Sequence, residues 1–518
     1  MKRYSILSHI KSIGSIALII AIIFEMIFFP SIDNLLGCIM TVICWILFSN
    51  IVLKIEIIKK HFFAWLLFLS MSLYRILPLF ATLIEGKPIS YGFHNSAFTF
   101  IGETFLYIIS LFAFLFAICR RNYNMKIHVW LNKIDFYDSV SDLSLWILGF
   151  MGLLAQIYVF RSHILIGDAV GKFISAFTFF QNAPILLFFP ILYKKKNNKL
   201  FRNNIYLWLY FIILEILSFA TNSRQAVLTP FGTFTLLLIL VIIIKPQRMV
   251  SNLSKYIVIL FLSLFFVVPF LSDISIAILA ARNYREDSSP IELLKKTIDI
   301  YTDSYQMEKL YRQKELLSKE EDNEDYKDEW TEAYLDNFAL NRYCNLRVTD
   351  ITLYYQERIG FTNPKMLIFF KESILKLLPS PVLKIININV DKTKSYSQGD
   401  YLYFLATGNS SALGSSRVTS HLADGLATFG LLYFPIQFLL FWICFLLIES
   451  FAVYTPSGIK FSIIGLILIF FFFGMFRNAN GCFGELSYIL REFPQCILIS
   501  WLGLKFSVSI FKGLKLLM

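Results

Sequence analysis

The sequence predicts an all-α polytopic membrane protein of about twelve transmembrane helices, with a large helical extracytoplasmic insert between spans nine and ten. Three observations carry this. The 518 residues are 57% hydrophobic and only 16% charged, with a mean hydropathy of +0.62, whereas soluble domains average about 25% charged. Apolar runs recur at the length of about 17–25 residues that crosses a bilayer. Polar residues are concentrated late in the chain: 281–424 holds 22 of the 36 Asp and Glu and 19 of the 48 Lys and Arg. The division is then 1–280 (spans one to nine), 281–424 (loop domain) and 425–518 (spans ten to twelve).

The N-terminal segment carries Lys2, Arg3 and Lys11 and reads as cytoplasmic. Its apolar run is a span and not a cleaved signal, because a second equally apolar run follows and no small-residue cleavage site is present. The expected spans are 14–30, 34–53, 62–84, 97–118, 143–160, 172–193, 205–220, 225–244, 256–280, 425–450, 461–476 and 495–511. Lys54, Lys59 and Lys60, then Arg120 and Arg121, then the cluster Lys194 to Lys199, and then Lys245 and Arg248 fall on one side. In this frame inner segments hold about 21 Lys and Arg and short outer ones about six, as the positive-inside rule requires. Both termini then face the cytoplasm and the insert faces out. The net charge of +12 therefore reports topology, and nucleic acid is not an expected partner.

Within the insert, Ser288-Ser-Pro-Ile-Glu reads as a helix start. Ile291, Leu294, Ile298, Tyr301 and Tyr305 follow on one helical face. Ser318 to Glu332 is acidic and solvated. A second helix is expected over Trp330–Glu357 and a third over Pro364–Leu378, capped by Asn363 and too apolar to stand free in water. Cys38, Cys44, Cys119, Cys444 and Cys496 read as packing residues. Cys344 and Cys482 would both face outside, and a disulfide between them is one option. No metal-ligand spacing exists among the Cys and the six His.

Ionisable residues inside spans are costly, which makes each a functional candidate. Arg75 lies midway along the third span. Pairing with Glu103 and a substrate role are equally open to it. Glu215 lies in the seventh span. Arg224 enters the eighth span from the Thr221-Asn-Ser turn, where an outward helix N-terminus and a guanidinium make an anion site. The same residue also reads as an arginine snorkelling to headgroups. Arg477 stands at the matching end of span eleven, and two guanidinium groups at one depth can clamp a diphosphate. Arg417 and Arg75 join this anion-binding set. His421, at the mouth of span ten, suits general base chemistry, with Asp424 one turn on. Ser420-His-Leu-Ala-Asp reads equally as a helix cap.

This pattern resembles the O-antigen and capsule repeat-unit polymerases of the Wzy type. The shared features are many spans with a large late outer loop, Ser223-Arg224 opening a span before it, and a Gly/Ser-rich stretch entering Leu422-Ala-Asp-Gly-Leu-Ala-Thr-Phe-Gly-Leu-Leu. Arg477 beside a Phe- and Gly-rich helix completes them. The resemblance implies a GT-C-like, metal-independent glycosyltransferase of the bacterial cytoplasmic membrane that needs no cofactor. Its substrates would be polyprenyl-diphosphate-linked oligosaccharides, and a chain-length regulator protein would be a partner. Arg224 and Arg477 would hold the diphosphate leaving group, and His421 or a nearby carboxylate would take the acceptor proton. O-antigen ligase is the nearest rival. A lipid-linked oligosaccharide flippase needs no large outer domain, and a secondary transporter would show internal repeats. Enzymes using single-sugar polyprenyl phosphates would carry acids in the first outer loop, which here offers only Asp33.

The charge bias makes a topological prediction. A Cys placed at Asn323 should react with an impermeant reagent in intact cells while one at Lys196 stays protected, and the reverse pattern would reject the frame.

Overall fold

The computed structural model describes residues 2–119, 121–162, 169–193, 202, 204–221, 224–244, 273–274, 276–281, 290–321, 330, 334–378, 380–385, 387–392, 396–455, 458–476 and 481–517. The chain is an all-α membrane protein, interrupted among the described residues by one short hairpin, Ala452–Thr455 with Gly458–Phe461. Among the described residues eight helices are long and apolar enough to cross a membrane: Leu7–Phe28, Ile32–Val52, Phe62–Ile84, Ser96–Cys119, Asp142–Phe160, Gln225–Ile244, His421–Glu449 and Cys482–Ile510.

The other four expected spans have separate outcomes. Residues 205–220 form an apolar helix of 16 residues, Ile205–Ala220. The segment 256–280 lies mostly outside the described residues. The segment 172–193 is not one α-helix, because a short helix, Ala169–Ser175, gives way to 3₁₀ turns over Thr178–Phe188 and Pro190–Leu192. Pro184 and Pro190 lack the N–H that an α-helix needs there. The segment 461–476 is broken into Ile463–Ile467 and Ile469–Gly474, the first capped by Ser462 Oγ accepting from Gly465 N at 2.9 Å.

Two compact units do not follow chain order: 1–124 with 318–449 and 473–494, and 125–317 with 450–472 and 495–518. The insert contributes 281–317 to the second unit and 318–424 to the first. In the second unit Asp142–Ser162 packs along the 3₁₀ segment. A Cβ at Gly149 would run into the Pro184 ring, and one at Gly152 into the Phe180–Gln181 backbone. Pro290–Thr302 packs on Ile205–Ala220, burying Leu293 and Thr297 and leaving Ile298 and Tyr305 exposed. Of the helical face read from the sequence, Tyr301 packs on Val227, Ile274 and Ile278. Asp303 Oδ1 accepts from Tyr305 N and Gln306 N and starts a new helix, Ser304–Glu321.

In the first unit Lys2–Phe28, Ile32–Leu47, Phe62–Ile84, Ser96–Cys119 and Tyr433–Glu449 form a bundle. At one end the 85–95 loop is tied to the insert through backbone amides. Glu85 accepts from Asp336 N at 2.7 Å and Asn337 N at 2.8 Å. Asp350 accepts from His94 N at 2.7 Å and Asn95 N at 3.0 Å. Burial pushes the Asp350 carboxyl up to about 6 against these bonds. Beneath the loop, Glu25 accepts from Ile89 N at 2.8 Å.

The expected helix over Trp330–Glu357 is two helices, Phe338–Cys344 and Arg347–Ile359. Asn345 Oδ1, one residue before the N-cap Leu346, accepts from Val348 N at 3.2 Å in the first turn of the second, while Trp330 is not helical. Cys344 and Cys482 are both buried free thiols. The third helix runs Pro364–Leu377 with Asn363 accepting from Lys365 N and Met366 N. It buries Met366, Phe369 and Phe370 against His421–Phe429, Gln398–Thr407 and Cys482–Ser487. Phe369 stacks on Tyr401 at 4.0 Å, and Phe370 meets Phe429 and Phe483 edge-on.

Each buried Phe contributes about 1.5–3 kcal/mol. Phe369→Asp with Phe370→Asp should release this helix and open the 378–396 segment to limited proteolysis, and unchanged cleavage would show that the helix does not depend on this face.

Candidate functional site

Four ionisable residues, His421, Asp424, Arg75 and Glu103, gather where the insert covers the bundle. His421 opens the helix His421–Phe429, with Ser420 as N-cap accepting from Ala423 N at 3.2 Å. Ser420 Oγ also bonds Thr352 Oγ1 at 2.8 Å, which ties the cap to the insert helix Arg347–Ile359. Ser420-His-Leu-Ala-Asp is therefore a helix cap, and it places His421 and Asp424 on one turn. Gly430 ends this helix with φ +56, where any other residue would be strained, and Asn363 N donates to Ala427 O at 2.7 Å.

His421 and Asp424 are completely buried. His421 Nε2 lies 2.7 Å from Glu485 Oε1, both side chains being 1% exposed. Its ring packs 5.6 Å from Phe441. The Asp424 carboxylate presses on Gly481, where a Cβ would collide with it. The amides of Cys482 and Gly425 are its nearest donors, but neither of its oxygens meets hydrogen-bond geometry among the described residues. Tyr433, Gln437, Phe441 and Cys444 form one stripe of the neighbouring helix, at the three- and four-residue spacing of a helical face. Tyr433 packs on Gly425, and Cys444 Sγ lies 4.0 Å from Glu485 O. Five side chains therefore leave seven buried polar atoms without partners among the described residues: His421 Nδ1, both Asp424 oxygens, Glu485 Oε2, Tyr433 OH and both Gln437 amide atoms. Native interiors leave few such atoms, so a cluster requires a reason.

Arg75 belongs to the same region. Gly102, next to its partner Glu103, packs on Leu422 of the His421 helix, and the Arg75 guanidinium pairs with Glu103 Oε2. Its other donors reach Glu103 O at 3.2 Å and Met71 O at 3.0 Å. Glu103 Oε1 accepts from Thr349 Oγ1 at 2.6 Å. Of the two readings open from sequence, the Arg75–Glu103 pairing is made.

Arg417 is held in the Gly/Ser-rich loop. Asp400 accepts from Arg417 N at 2.9 Å, Ser416 N at 3.1 Å and Ser415 Oγ at 2.8 Å. Burial favours the neutral acid, yet these bonds hold the Asp400 carboxyl below its usual range. The Arg417 guanidinium lies 4.5 Å over the Tyr403 ring and donates to Ala412 O at 3.0 Å. Arg224 begins the helix Arg224–Ile244. Its side chain, and Arg477 altogether, lie outside the described residues. Glu215 is buried in Ile205–Ala220, with neither carboxylate oxygen partnered among the described residues.

Sequence reasoning missed Glu485, Tyr433 and Gln437. Glu485 is an acid in an apolar run, and that signal could have found it. Among the described residues no group of three or more His, Cys, Asp or Glu could hold a metal ion. Fold and site together define a helical membrane protein with a roofed, polar, buried site. No family model, curated protein or solved structure matches the chain.

Removing one partner of a buried ion pair costs about 3–5 kcal/mol, while replacing both by apolar residues is often neutral. Arg75→Met should lower detergent-solubilised stability by that amount, and Arg75→Met with Glu103→Met should recover most of it in a denaturation series. No recovery would mean that Arg75 stabilises the fold by other contacts.

Proposed function

We propose that the chain is a glycosyltransferase that polymerises polyprenyl-diphosphate-linked oligosaccharide repeat units into O-antigen or capsular polysaccharide. The reaction would take place at the outer face of the bacterial cytoplasmic membrane. The observation that supports this best is the set of seven buried atoms at and around His421 that have no partner among the described residues. Acceptors outnumber donors among them, which suits an occupant rich in hydroxyl groups. A sugar acceptor has that chemistry, and a histidine near neutral pH can take its proton. Asp424 is the second candidate for that role.

The donor would be held by its diphosphate, with Arg224 and Arg477 as the clamp. Outside the cytoplasm no nucleotide is available, so the lipid diphosphate itself must supply the leaving group. Stabilising the charge that develops on it is the larger part of the task. In this scheme the chain requires no metal, and a chain-length regulator would act as a partner protein.

The test uses purified full-length protein and lipid-linked repeat units, with product ladders read on gels in the presence of a chelator. Arg224→Ala or Arg477→Ala should cost roughly 2–4 kcal/mol of transition-state stabilisation. Arg224→Lys should remain impaired, because a point charge lacks the guanidinium fork. Wild-type ladders from both Ala variants would remove the clamp, loss of activity on chelation would remove the metal-free scheme, and transfer to a lipid A-core acceptor alone would make the chain a ligase.

A further inference from the structure

We infer that Glu485 is the positioning residue of His421, and that it makes Nδ1 the atom that accepts the proton. The acceptor step rests on the function proposed above, but the tautomer does not. Glu485 sits in the first turn of Cys482–Ser487, a helix that continues through a π turn, Tyr488–Glu492, into Phe493–Leu517. Such π turns are frequent at functional sites. Its carboxylate lies 2.7 Å from His421 Nε2, both side chains being buried. A carboxylate that accepts this bond leaves the hydrogen on Nε2. A neutral imidazole then has its lone pair on Nδ1, which has no partner among the described residues.

Asp424 does not share this duty. No hydrogen bond joins it to His421 among the described residues, and Gly481 is the neighbour that its carboxylate presses on.

The step balances without a further reactant. The acceptor O–H bond breaks and its proton goes to Nδ1. The same oxygen bonds the anomeric carbon of the donor, whose bond to the phosphate oxygen breaks, and the polyprenyl diphosphate departs with that electron pair. The Nε2 hydrogen stays where it is. The imidazolium so formed faces the Glu485 carboxylate, whose negative charge stabilises it in a medium of low dielectric.

The experiment is ¹⁵N NMR of histidine-labelled full-length protein in detergent, with His421→Gln identifying one signal among the six histidines. The neutral His421 ring should appear as the Nε2–H tautomer. Glu485→Ala should abolish that preference. Glu485→Gln, whose amide oxygen still accepts, should keep the tautomer yet lose about 100-fold in kcat because the charge is gone. A wild-type Nδ1–H tautomer, or a His421 signal unmoved by Glu485→Ala, would overturn the assignment. Should wild-type protein make no polysaccharide, the proposed function fails while the spectrum still decides the role of Glu485.

Discussion

The first unit depends on one buried ion pair. Arg75 and Glu103 lie on adjacent helices, each side chain no more than 1% exposed. Measured inward from the ends of Phe62–Ile84 and Ser96–Cys119 that meet the 85–95 loop, both stand roughly 10–14 Å deep at 1.5 Å per residue. A lone charge at that depth would be prohibitive. Pairing removes most of the penalty, and the spare Arg75 donors reach backbone carbonyls. The remaining Glu103 oxygen accepts from Thr349. The pair thus joins two bundle helices to each other and to the insert, and it sets the position of Arg347–Ile359 against the cap of the His421 helix.

Other carboxylates carry the same principle outward. Glu25, Glu85 and Asp350 each accept from backbone amides of the 85–95 loop or of the insert. A loop over an apolar bundle must satisfy its N–H groups in this way. The result is a lid tied down by hydrogen bonds, with the apolar helix Pro364–Leu377 packed as its roof. Such a lid keeps water from His421 and Glu485, and excluding water strengthens every charge interaction beneath it.

Several features of this arrangement were legible in the chain. The long apolar runs, the caps at Asn363 and Ser420, and the apolar character of Pro364–Leu377 are properties of neighbouring residues, and local rules reach them. His421 and Asp424 were also visible, since one helical turn brings them together. Local rules failed where two segments compete. Residues 172–193 have the hydropathy of a span, yet Pro184 and the close approach of Gly149 and Gly152 make 3₁₀ turns that pack along Asp142–Ser162. Over Pro290–Thr302 a periodic apolar face exists, but only part of it is covered: Tyr301 packs on Val227, Ile274 and Ile278 while Ile298 stays exposed.

By itself the sequence determined that this is a helical membrane protein, where its polar insert lies, and which residues are chemically unusual for their surroundings. Those conclusions need only hydropathy, length and charge, all of which are additive along a contiguous segment. Tertiary structure alone decided which of the unusual residues meet. Glu485 lies 64 residues from His421, and Thr349 lies 246 from Glu103, distances along the chain that no periodicity spans. A buried charge requires a partner within about 3 Å, and that requirement can be read only after the helices have packed.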